Sequence, residues 1–419
     1  MRVQNYTLFV TKNGRAVRES SFAFTSGPSG SYVSKDITVL SEHITTGGII
    51  AMAWAKNPYS VVYMVLGNGN LISLVFNPEQ EVRGWSRHDL GADGLAKAIC
   101  VIPNGTGDWD DVYVVVQRTA IVNSVDVVFH TIERLEQVYA NTPDNYQYNA
   151  FYVDCGSTLN NAINATLLIG VGATVAGTTD VGFQAGSAVF SSTDVGRFIH
   201  YDYSITQVGD DGLPFDKAVT AIAEITEYVS PTLILATINV AFPRQSITIA
   251  ANTWRLTVTQ IDTILLAWVG QTISILADGA CQPDQVVSDD ATAIELQYPA
   301  SVVQVGLKSP SVFQTMKPAG GAPDGPSIGK IKRNIRATVR YIDSLGMEIG
   351  RDIDNLIEID ARPPSIPNDD PPPINSGDTD RMAFDGEWDR EGRVMIVQSQ
   401  PLPLTLCAVA MAMDVQPDG

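Results

Sequence analysis

Gly47–Leu90 reads GGIIAMAWAKNPYSVVYMVLGNGNLISLVFNPEQEVRGWSRHDL, and its punctuation decides the fold. An apolar strand is expected over Ile49–Trp54, a break at Asn57-Pro58 and a second strand over Val61–Leu66. A tight Gly67-Asn68-Gly69-Asn70 turn leads into a third strand, Leu71–Phe76. After the Pro78-Glu79-Gln80 corner a short fourth strand runs from Gly84 to His88. An Asn-Gly pair suits a hairpin because both central residues can take positive φ, matching the right-handed twist of the flanking strands. Four short antiparallel strands in about 45 residues is the size of one β-propeller blade.

The same pattern extends in both directions. Tyr6–Val10 and Arg15–Phe24 alternate around Lys12-Asn13-Gly14, which reads as the middle of a blade without its outer parts. Ala96–Val138 repeats the theme with a strand at Ala98–Ile102 and a polar loop at Asn104–Asp111. A hairpin of Val112–Arg118 and Val125–Arg134 follows. Aligning Val61-Val62-Tyr63 with Val112-Tyr113-Val114 gives an internal repeat of about 50 residues. Residues 1–150 therefore hold about two and a half blades, whereas closed propellers use about four to eight. Open sheet edges are adhesive, so the missing blades are expected to come from another polypeptide.

Asn141–Ala150 is turn-rich and marks a boundary. The Gly/Ala/Thr-rich Gly170–Gly186 is expected to form flexible connections, and alternating strands are expected over Val219–Val229 and Thr232–Val240. Residues 151–250 thus form a second β-domain. Trp254–Thr259, Gln271–Ala277, Glu295–Tyr298 and Ser301–Leu307 are expected strands of a third β-module, 251–419, with a tight turn at Ala277-Asp278-Gly279. Lys330–Asp343 alternates Ile335, Ala337, Val339 and Tyr341 against Arg336, Thr338 and Arg340, and 363–373 (PPSIPNDDPPP) is a polyproline-like connector.

Several of these motifs, in this order, resemble one phage tail family. They are Ala51-Met52-Ala53-Trp54; Gly67 and Gly69 with the following strand to Asn77; Glu79-Gln80-Glu81-Val82; Gly84-Trp85; and Arg87-His88. Phe151–Gly156 resembles the segment that leaves the propeller in that family, and Phe190–Ile199 opens what looks like its inserted FCCH-like β-domain. Phe384, Gly386, Trp388-Asp389-Arg390, Gly392-Arg393-Val394 and Gln400–Pro403 resemble its closing strands. The likeness covers most of the chain and is weakest at Leu159–Gly186 and Ile261–Trp268. Its members are nozzle or hub proteins of virions, also described as stabilisation or tail tubular (B-like) proteins. The resemblance implies an all-β chain, with partial propeller blades followed by small sandwich or barrel domains, forming the C-terminal portion of such a protein. It also implies a ring of about six copies below the portal and adaptor, through which DNA is retained and then ejected. Fibres or spikes are further partners on this reading, and no cofactor is implied.

Composition sets limits of its own. Hydrophobic residues make up 45% and charged residues 17% of 419, which describes a globular chain. Lys plus Arg number 27 against 46 Asp plus Glu, a net charge of −19. That balance argues against a general nucleic-acid binder, which needs cations to displace phosphate counterions. It suits a wall that repels DNA in transit. Cys100, Cys155, Cys281 and Cys407 are far apart and lack metal spacing, so reduced, buried thiols are expected. The N-terminus lacks the pattern of a signal peptide, and no apolar run approaches the ~18–20 residues of a membrane span. A virion protein assembled in the host cytoplasm is the expectation.

Catalytic patterns are weak. His43, His88, His130 and His200 have no adjacent Ser or Cys nucleophile in sequence, and His88 is expected to be structural. Carboxylate groups Asp108/Asp110/Asp111, Asp210/Asp211 and Asp369/Asp370 sit beside Gly or Pro, where Asp favours turns. Asn104–Asp111 has oxygen ligands but not the spacing of an EF-hand. Gly170-Val171-Gly172 has no following helix or Lys-Ser/Thr to cradle phosphate. Lys330, Lys332, Arg333, Arg336 and Arg340 are the one basic concentration, expected to face an acidic neighbouring subunit or DNA. The expected function is a structural, non-enzymatic nozzle subunit. The alternative is a glycan-binding or glycan-degrading tail protein, for which Trp54, Trp85, Trp109, Trp254, Trp268 and Trp388 are too scattered to form one platform.

Overall fold

A computed structural model describes residues 1–24, 30–142, 145–208, 212–320, 326–359, 371–380, 382–383 and 387–416. Asp210, Asp211, Asp369, Asp370, Phe384, Gly386 and residues 363–370 of the connector lie outside that set. The chain is all-β, with 55% strand and 3% helix. Among the described residues no helix is long and apolar enough to cross a membrane. Two compact units emerge: 1–137 with 265–271, and 138–264 with 272–419.

The first unit is a stack of three antiparallel sheets. The central one follows the order Ile49–Ala55, Val61–Leu66, Leu71–Asn77, Val82–His88. Its hairpin differs from expectation. Leu66 N–H donates to the Asn70 carbonyl at 2.9 Å, closing a three-residue loop in which Gly69 takes φ +91°, whereas Asn68 is not in the positive-φ region. This is the longer hairpin type, a turn followed by one left-handed residue. The two-residue mirror-image turn occurs instead at Asn123-Ser124, with φ of 50° and 62°, where Val122 pairs with Val125.

Blade packing explains why the central sheet reads as nearly continuous apolar sequence. One face (Val62, Met64, Leu66, Ile72, Leu74, Phe76) is buried against Val3, Leu8 and Val17. The other (Ala55, Val65, Leu71) is buried against Ala96, Val112, Val114 and Val116. A strand covered on both sides has no solvent face to make polar. The N-terminal sheet is more complete than half a blade: Arg2–Val3 and Gly30–Asp36 flank the expected hairpin to give four strands. The third sheet has three strands, Leu95–Pro103, Asp110–Val122 and Val125–Leu135. The segment 265–271, which overlaps the region of weakest resemblance at Ile261–Trp268, belongs to this unit and buries Trp268 completely.

In the second unit a seven-stranded, barrel-like sheet runs from Leu167 to Leu256. Its core includes Phe183, Ile199, Ile225, Ile234, Ile238 and Trp254. Gly170–Gly186 is not a flexible connection throughout: Val181–Ala185 is a strand of this sheet. Gly170 is needed for closeness, since a Cβ there would lie 2.3 Å from the Gly182 carbonyl oxygen. Further small sheets complete the unit, one built on Lys332–Ser344 paired with Thr405–Val415.

The cysteines are less buried than expected: Cys100 and Cys407 are exposed, and Cys155 and Cys281 are half-buried. Burial pushes the Cys281 thiol up to about 12. Gly170→Ala must displace backbone and not a side-chain tip, so it should destabilise the second unit by about 1–3 kcal/mol. Urea unfolding followed by hydrogen exchange at Leu167–Ala185 checks this, with the first unit's exchange unchanged.

Candidate functional site

The family-like residues of the central blade serve its geometry. Trp54 Nε1 donates to Ser60 Oγ at 3.1 Å, and Trp85 Nε1 to the Ile37 carbonyl at 3.2 Å. Arg87 donates to the His43 carbonyl at 2.8 Å, and His88 Nε2 lies 2.8 Å from Ser73 Oγ. Burial lowers the His88 pKa, favouring neutral imidazole. Glu79 and Gln80 lie in a short 3₁₀ turn, Pro78–Gln80, which ends at Glu81 with φ 57°. The glycines shape the hairpin: a Cβ on Gly69 would meet Leu95 at 2.8 Å, and one on Gly67 the Gly47 carbonyl at 2.9 Å.

Asp110, a candidate carboxylate, accepts the backbone N–H of Lys56 at 2.6 Å and of Asn57 at 3.1 Å. Asp111 lies 3.8 Å from Arg134. Asn104 turns its own loop, its Oδ1 accepting from Thr106 and Gly107. These oxygens are spent on holding loops. Among the described residues no group of three or more His, Cys, Asp or Glu is arranged to hold a metal ion.

The basic strand is divided by a β-bulge. Asn334 pairs with Met413 and Arg336 with Ala412, so Ile335 is the extra residue. A bulge inverts side-chain parity along a strand. Before it, Lys332 (2% exposed) and Asn334 point inward; after it, Ala337 and Val339 do. Ile335, expected on the apolar face, is consequently exposed. Of the cations that remain outside, Arg333 pairs with Asp414 at 3.0 Å and stacks over Trp388 at 5.1 Å. Arg340 engages both oxygens of Asp378, at 2.7 and 2.8 Å. Lys330 lies just before the strand, and Arg336 is exposed with no acidic partner among the described residues. The chain's own acids thus compensate much of this charge.

A polar cluster that sequence reading missed lies in the second unit. Asp202 on Phe198–Val208 pairs with Arg255 on Trp254–Leu256 through both guanidinium nitrogens. Tyr148 Oη donates to Asp202 at 2.5 Å and Thr220 Oγ1 at 2.7 Å. Arg255 Nε donates to Ser301 Oγ at 3.1 Å, and Arg255 also lies over the Tyr148 ring at 4.9 Å. Ser301 donates to Asp278 at 2.9 Å, and His200 Nδ1 lies 2.9 Å from Ser301 Oγ and 3.5 Å from Asp278. Ser, His and Asp are together, but both partners sit at one ring nitrogen and Ser301 is fully buried. A relay needs the base between nucleophile and acid; this cluster instead joins strands. The only sequence signal was the Ala277-Asp278-Gly279 turn, which places Asp278 at φ 46°.

Burial pushes the Asp202 carboxyl up, but hydrogen bonds and charge from Arg255 outweigh it, and its pKa falls below the ordinary carboxylate range. For His200, burial dominates over the attraction of Asp278 and the pKa is lowered. Burial likewise raises Tyr146, to about 12. Comparison of the sequence with protein-family models and with curated proteins returns no match.

Two outcomes follow from the cluster. Arg255→Leu leaves the Asp202 carboxylate buried and unpaired and should cost about 3–5 kcal/mol, with Asp202→Asn in the same chain recovering part of it; chemical denaturation reads both. A histidine held neutral by the fold protonates more readily once unfolded, so stability should be full above pH ~6.5 and fall as pH drops through that value towards the depressed folded pKa. Melting temperature from pH 7.5 to 5 should show this decline, and His200→Asn should reduce it, leaving the part that His88, also held neutral by burial, contributes.

Proposed function

We propose that this protein is a structural subunit of a virion tail, a nozzle or hub component that forms a ring of about six copies and conducts DNA without making or breaking a bond. The observation that carries the reading is the stack of blade-type sheets followed by a barrel-like sheet and small β-modules, in the order in which the tail-family motifs occur along the chain. A charge of −19 per chain, multiplied around a ring, would keep phosphates from adhering to the wall. The compensated basic strand fits that role, since it offers DNA little unpaired cation. Tryptophans also support an assembly protein over a glycan platform: Trp254 and Trp268 are fully buried, and Trp54 and Trp85 are hydrogen-bonded within the blade stack. A tail adaptor above and fibres or spikes beside the ring are the proposed neighbours.

Electron microscopy of particles labelled with an antibody against this chain provides the test. Label confined to the axial stub beneath one capsid vertex is expected; label on lateral fibres, or absence from particles, would overturn the assignment.

A further inference from the structure

Three asparagines of the chain precede glycine: Asn13-Gly14, Asn68-Gly69 and Asn104-Gly105. In such a pair the glycine nitrogen and the asparagine carboxamide carbon lie in one short segment, so attack of one on the other is intramolecular. Glycine has no side chain to block it. Reaction then depends on whether the fold leaves the glycine nitrogen free to move.

Two of the three glycines are held. Gly14 N–H donates to the Thr11 carbonyl at 2.8 Å, and the Gly14 carbonyl accepts from Ile49 at 2.8 Å. Gly69 N–H donates to the Leu66 carbonyl at 2.9 Å, and the Gly69 carbonyl accepts from Ala96 at 2.8 Å. Both take positive φ, +75° and +91°, and a Cβ on Gly69 would meet Leu95 at 2.8 Å. Each turn must open before its nitrogen can swing towards the carboxamide.

Asn104-Gly105 is held differently. It lies in the polar loop between the strands Leu95–Pro103 and Asp110–Val122 of the third sheet. Gly105 is exposed, and among the described residues neither its N–H nor its carbonyl is hydrogen-bonded. A Cβ on Gly105 or Gly107 would meet nothing within 4 Å, so the backbone has room to flatten into a five-membered ring. The electrophile, by contrast, is fixed. Asn104 Oδ1 accepts from Thr106 N–H at 2.9 Å, Thr106 Oγ1 at 2.8 Å and Gly107 N–H at 2.6 Å. Three donors on one carboxamide oxygen draw charge from its carbon and suit the oxyanion that forms on attack. Asn68 Oδ1 has one such donor, the Asn70 N–H at 3.2 Å, and Asn13 Oδ1 has two, Thr11 Oγ1 and the Arg15 N–H.

We propose that Asn104 is a self-modification site, at which the folded loop directs deamidation through a cyclic imide with Gly105. Solvent base removes the Gly105 amide proton, and the nitrogen bonds to Asn104 Cγ. The Cγ–Nδ2 bond then breaks, and Nδ2 takes up a proton and leaves as ammonia. Water opens the succinimide at either carbonyl, giving aspartate or isoaspartate with no change of oxidation state. Either product adds one negative charge to the chain's −19, in a loop that already carries Asp108, Asp110 and Asp111. Isoaspartate also lengthens the backbone by a methylene, inside a loop closed by Asn104 N–H on the Trp109 carbonyl at 3.0 Å. That loop ends at Asp110, which accepts from Lys56 and Asn57 and so ties the third sheet to the central one. The site depends on this loop alone and not on the tail reading.

The test incubates the full chain in mildly alkaline buffer, folded and, in parallel, unfolded in urea. Peptides holding each Asn-Gly pair are followed by mass spectrometry for a gain of about 1 Da, and isoaspartate is read by methylation with protein isoaspartate methyltransferase. In the folded chain Asn104 is expected to convert at least about ten-fold faster than Asn13 and Asn68, whose turn hydrogen bonds must break first. In urea the three rates should converge, because the difference belongs to the fold. Asn104→Gln should remove the early methylation signal of the folded chain. Equal rates at the three pairs in the folded chain, protection of Asn104 by folding to the same degree as the other two, or a signal that survives Asn104→Gln would overturn the proposal.

Discussion

Sheets with apolar faces must be covered, and that constraint organises the first unit. The central blade buries Val62, Met64 and Leu66 on one side and Val65 and Leu71 on the other. Burial is worth about 25 cal/mol per Å² of apolar surface, and no single blade provides enough of it on both sides alone. Each sheet therefore depends on its neighbour, as repeats of this size do.

The second unit solves the same problem with a barrel-like sheet and then joins it to its neighbours by charge. The Asp202–Arg255 pair, with Tyr148, Thr220, Ser301, Asp278 and His200 around it, links strands far apart in sequence. Buried ion pairs add little net stability but are costly to break in half. A network in which each polar atom has a partner fixes one relative arrangement of its strands. Such rigidity suits the geometric role proposed for the protein.

Much of this was legible in the sequence. The strands Val61–Leu66, Leu71–Asn77 and Val125–Leu135 lie close to where alternation and turn residues place them, because local periodicity and burial agree there. Asn68-Gly69 marked a hairpin but not its type, since loop length depends on which residues pair across it. Nothing local marks the bulge at Ile335, which reverses the parity of the basic strand and takes Lys332 inside. The polar cluster was illegible for a related reason: Asp202, Arg255 and Ser301 meet only through sheet topology. Glycines at 170–186 suggested flexibility, yet Gly170 is there because a neighbouring backbone passes too close for a Cβ.

The most direct measurement of the central claim is a single-particle reconstruction of the assembled protein. A ring of copies around an open lumen is expected. A discrete monomer, or an assembly without a lumen, would contradict the role proposed for the chain.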